Sequence, residues 1–68
     1  MTRALTLADA QTAITLASRG SSAQIDRFED AIGCSLSSAL DALWDMAEEG
    51  GRPVLASRLE RAYNRLTA

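Results

Sequence analysis

Apolar residues recur every three or four positions along almost the whole chain, and each such run is bounded by residues that cap helices. The pattern predicts four helices. The first begins at Thr6, where Thr6 and Asp9 fit a capping box; it presents Leu7, Ala10, Ile14 and Ala17 on one face and ends at Gly20, read as a left-handed cap. The second follows Ser21 and Ser22. It carries Ile25, Phe28 and Ile32 opposite Asp26, Arg27, Glu29 and Asp30, and stops at Gly33.

The third helix runs from Ser35 to Glu49 with Leu36, Leu40, Leu43 and Ala47 on one seam. Gly50 and Gly51 then supply a tight turn, and Pro53 suits the first turn of a fourth helix, where its missing N–H costs nothing. Leu55, Leu59, Ala62 and Leu66 form the apolar stripe of that helix. Short connections make the last two helices an antiparallel hairpin. No strand pattern, internal repeat or low-complexity tract interrupts this order. The expected fold is therefore all-α, a single domain spanning residues 1–68, built as a small bundle of about four short helices that ends in a helical hairpin.

Length limits what such a bundle can bury. A chain of 68 residues buries only about 60% of the surface its unfolded form exposes, which leaves a stability margin of roughly 3–5 kcal/mol. Cys34 is the one cysteine and there is no histidine, so neither an internal disulfide nor a zinc site can add support. Homodimerisation is the ordinary remaining way to enlarge the core. The third helix favours it: from Met46 through Leu43 and Leu40 to Trp44 its apolar arc spans about 160° at about 100° per residue, more than one neighbouring helix covers. Either the other helices wrap this arc, or Trp44 or Met46 lies at an interface.

Charge narrows the choice of partner. Seven arginines, with no lysine, face nine acids, giving a net charge of −2 and no overall attraction to nucleic acid or an anionic membrane. The acids are ordered: Asp41, Asp45 and Glu48 fall within about 60° of one another on the third helix. On the fourth, Arg58, Arg61 and Arg65 recur at i, i+3 and i+7 as a basic row. These rows are either solvated faces joined by weak ion pairs or docking surfaces for a partner of opposite charge. Trp44 and Tyr63, at the margins of their helices, are the candidate aromatic anchors.

Catalysis has almost nothing to work with. Histidine and lysine are absent, no glycine-rich phosphate loop exists, and no catalytic, cofactor-binding or metal-ligating residues are assigned. Cys34 is a reactive-thiol candidate, set against a half-buried loop cysteine packing as a small apolar residue. The stretch from Phe28 to Met46 has the order of a helix-turn-helix, yet the would-be recognition helix exposes Asp41, Asp45, Glu48 and Glu49, which repel phosphates. No segment has the length and apolarity of a membrane span, and the first residues lack a signal-peptide pattern, so a cytoplasmic protein is expected. Arginine-only basic residues and 13 alanines point to a GC-rich bacterial or phage genome.

The opening LTLADAQTAITLASRG, the all-arginine usage and the hairpin CSLSSALDALWDMAEEGGRPVLASRLERAYNRL together resemble the small acidic helical proteins of early Pseudomonas phage genes, the quorum-sensing anti-activators among them. The resemblance is one of overall character, without a diagnostic motif, and assigns no site residue. It implies a homodimeric helical protein that blocks a LuxR-type quorum-sensing regulator by direct binding and can also restrain a type IV pilus assembly ATPase. The reading from the residues agrees in class: a non-enzymatic protein-binding inhibitor, with a small helix-turn-helix-like DNA-binding regulator as the alternative.

Overall fold

A computed structural model describes residues 3–68 and places four α-helices in the expected order: α1 (Ala10–Arg19), α2 (Ser22–Ile32), α3 (Leu36–Glu49) and α4 (Pro53–Thr67). The described residues contain no strand, and the molecule measures 31 × 27 × 15 Å. The α3–α4 hairpin forms the most extensive interface; α1 lies across both of its helices, while α2 touches α3 more sparingly.

Local chemistry explains the boundaries. Thr6 caps as expected, but Leu7–Asp9 form a single 3₁₀ turn before the α-helix proper begins at Ala10. Ser21 and Gln24 close a reciprocal capping box at α2: the Ser21 N–H donates to the Gln24 side chain at 3.0 Å, and the Gln24 N–H returns to the Ser21 hydroxyl at 3.3 Å. At α3 two acceptors share the free N–H groups. The Ser35 hydroxyl takes the Ser38 N–H at 3.2 Å and the Glu29 carboxylate takes the Leu36 N–H at 2.6 Å, fixing the turn between α2 and α3.

The α3–α4 turn is a Schellman motif. Gly51 is left-handed at φ +68°, the Arg52 N–H reaches back to the Ala47 carbonyl at 2.8 Å, and the Gly51 N–H reaches Glu48 at 3.2 Å. Gly20 departs from expectation. Its φ of −75° and ψ of 144° are extended rather than left-handed, and its need for glycine is spatial: a Cβ there would stand 2.8 Å from Leu16 backbone atoms.

The core is a leucine seam with alanines filling its edges. Leu36, Leu40, Leu43 and Leu59 are fully buried, each worth roughly 1.5–3 kcal/mol relative to exposure. Ala39, Ala47 and Ala62 let the helices approach closely. Three expectations about faces need correction. In α1 the deepest residues are Ala10, Ala13 and Leu16, whereas Leu7, Ile14 and Ala17 are only half-buried, because α1 faces both hairpin helices rather than one. Leu66, at the open end of α4, remains 38% exposed. Cys34 sits exposed in the α2–α3 turn instead of half-buried.

The wide arc of α3 is covered within the chain. Its five central residues are buried, Met46 and Trp44 are half-buried, and Tyr63 closes over Trp44. The arc therefore no longer argues for a second subunit.

Candidate interaction surfaces

Around the α3–α4 hairpin the charged side chains divide by flank. Asp41, Asp45 and Glu48 are all exposed on α3, and none of them makes an ion pair among the described residues. Next to them Trp44 packs on Tyr63, ring centroids 6.3 Å apart and planes tilted by 50°, a geometry that adds about 0.5–1.5 kcal/mol to the area it buries. Trp44, Glu48, Pro53, Ala56, Ser57 and Glu60 line a shallow depression on the same side. Sequence periodicity set Tyr63 apart from the main stripe of α4 but could not tell which neighbour it meets. Its partner is the aromatic residue of the acidic helix.

The arginine row occupies the other flank of α4, against α1. Arg58 donates to the Gln11 side chain and Arg65 to the Ser18 hydroxyl, both at 3.0 Å, and a groove floored by Ile14 and Ala62 runs beneath Arg58, Arg61 and Arg65. All three arginines are exposed. The weak ion pairs considered between the acidic and basic rows do not form, since the two rows point away from each other; among the described residues the one ion pair is Arg3–Asp9.

This separation extends across the molecule. Helices α1 and α4 carry Arg19, Arg58, Arg61 and Arg65 against Glu60 alone; α2 and α3 carry seven acids against Arg27. The row on α4 begins with Val54, 75% exposed, which precedes Arg58 by one turn and lies with Pro53, Ser57, Arg58 and Arg61 around a second depression.

Two features were not foreseen. A cleft opens between α1 and α2, floored by Leu16 and Phe28 and rimmed by Gln11, Thr12, Thr15, Gln24 and Arg27. The other is the surrounding of Asp9. The residue is 8% exposed, and its carboxylate accepts two bonds from the Arg3 guanidinium, at 2.6 and 2.8 Å, and one from the Thr6 N–H at 2.9 Å. The arginine first, then the Thr6 N–H, hold its pKa down at about 2 although burial opposes them. The Arg3 N–H in turn donates to Ala31 at 3.0 Å, so the clasp ties the start of α1 to the end of α2. It is a structural device, with no second titrating group beside it.

Among the described residues no three His, Cys, Asp or Glu side chains converge on a metal-sized site, and no helix is long and apolar enough to cross a membrane. Fold and surface together define a small helical bundle with two faces of opposite charge and one aromatic pair at the edge of the acidic face. No protein-family model, curated protein or solved structure matches the chain.

Proposed function

We propose that the protein is a non-enzymatic cytoplasmic inhibitor that works by binding another protein, with the acidic face of α3 docking on a basic surface of the partner. One observation carries the reading: Asp41, Asp45 and Glu48 are exposed and unneutralised beside the Trp44–Tyr63 pair. Charge of one sign steers a partner of the other sign, and an aromatic edge then supplies the contact that slows dissociation. A basic surface that otherwise holds DNA is the natural target, which makes a transcriptional regulator the partner class. Resemblance to the phage anti-activators names a LuxR-type regulator as the first to try, and a type IV pilus assembly ATPase as the second.

The test is a pull-down of purified LuxR-type regulator at several salt concentrations. Asp41→Lys with Asp45→Lys should weaken capture and flatten its salt dependence while circular dichroism stays unchanged, since both positions are exposed. Arg58→Glu with Arg61→Glu should leave capture intact. The reverse ranking would overturn the assigned polarity, and no capture by the wild-type chain would remove the regulator as partner.

Direct nucleic-acid binding is the second reading. It draws support only from the arginine row on α4, because the helix-turn-helix-like pair α2 and α3 exposes acids. A gel shift at low and moderate salt, abolished by the arginine reversals, would favour it.

A further inference from the structure

The two charged rows share one spacing. Asp41, Asp45 and Glu48 are separated by four and then three residues; read from the other end, Arg65, Arg61 and Arg58 are separated by four and then three. At about 1.5 Å of rise per residue, both rows step by about 6 and then 4.5 Å. Laid antiparallel, they place Asp41 opposite Arg65, Asp45 opposite Arg61 and Glu48 opposite Arg58. Within one chain this pairing is barred, because the acids lie on the Tyr63 side of the hairpin and the arginines on the α1 side.

We infer that the arginine row of α4 is a docking surface for the acidic row of α3 on a second copy of the chain, the two helices antiparallel and in that register. All six side chains are exposed, and Arg61 makes no hydrogen bond within the described chain. Arg58 and Arg65 each give one donor to a side chain of α1, which holds their guanidinium groups on that flank and leaves further donors free. In the same register Val54, 75% exposed, falls opposite Arg52, just past the Gly50–Gly51 turn of the neighbouring copy. A polyanion fits less well than a second copy, since the chain as a whole carries a net charge of −2.

The rows occupy different surfaces, so the contact is heterologous. Each copy that uses its acidic row still offers its arginine row, and association does not end at a two-fold dimer. Exposed ion pairs make it weak and strongly salt-dependent. Self-association shares the acidic row with the proposed function but does not depend on it, because it is read on the purified chain with no partner present.

The experiment is sedimentation equilibrium on the full chain at low and high salt, with circular dichroism to confirm folding. Wild type should show a mass average that rises with concentration past twice the chain mass at low salt, its association constant falling at least about tenfold at high salt. Asp41→Lys/Asp45→Lys and Arg61→Glu/Arg65→Glu should each be monomeric. An equimolar mixture of the two should associate, and so should the chain carrying all four reversals, whose net charge equals that of wild type. A wild-type chain that stays monomeric at millimolar concentration and low salt overturns the inference. So does an Asp26→Lys/Asp30→Lys chain, which keeps both rows at the net charge of Asp41→Lys/Asp45→Lys, if it is monomeric where wild type associates, since association would then follow net charge rather than the matched rows. Arginine reversals that leave sedimentation unchanged but abolish a shift of duplex DNA would assign the ridge to phosphates instead.

Discussion

Replacing Asp9 by asparagine keeps the shape of the side chain and removes its charge, which isolates the clasp at the start of α1. In the folded chain the carboxyl titrates at about 2 instead of the ordinary 3.8. At about 1.4 kcal/mol per pKa unit this corresponds to about 2 kcal/mol of stability at neutral pH. The sign follows from the lowered pKa: the contribution is complete above the unfolded value, declines as pH falls below about 4, and is lost through about pH 2. Against a margin of roughly 3–5 kcal/mol for a domain of this size, the loss is large and should lower the melting temperature by about 8–16 °C. Thermal melts of wild type and Asp9→Asn from pH 7 to pH 1.5 read both parts, because their difference cancels the other eight acids. The difference should be greatest near neutrality and close to zero at pH 1.5. Equal melting temperatures at pH 7, or a difference that persists undiminished in acid, would refute the clasp as the cause.

Three further outcomes are expected. Leu43→Ala, at a fully buried site, should cost about 2–5 kcal/mol and leave little folded protein, while Leu66→Ala at the open end of α4 should cost well under 1 kcal/mol; similar urea midpoints for the two would contradict the core assignment. Tyr63→Ala should uncover Trp44 and shift its fluorescence to longer wavelength with helicity retained, an unshifted spectrum being incompatible with the ring contact. Cys34 should react with a thiol reagent in the native chain at nearly its rate in denaturant, and Cys34→Ser should leave the melting temperature in place; protection of the native thiol would contradict its exposed position.

By itself the sequence determined the four helices, most of their boundaries and the hairpin, because these depend on residues within a turn or two of one another. Ser21 with Gln24, Ser35 with Ser38, and the Gly50–Gly51 pair after Glu49 act over three to five positions, and the leucine spacing of α3 marks its seam without reference to any other helix. The charged rows were legible for the same reason: helical periodicity alone brings Asp41, Asp45 and Glu48 together. Tertiary structure decided which flank of each helix meets which neighbour. Arg58 and Arg65 reach partners 47 residues away on α1, Tyr63 turns to Trp44, and Arg3 bonds Ala31 and clasps Asp9. An amphipathic pattern gives a helix its apolar side but not its rotation against two neighbours, so the depth of Ala13, the cover over the α3 arc and the cleft beside α2 were out of reach. The same packing put the acidic and basic rows on separate faces, and the interactions proposed for this protein all follow from that separation.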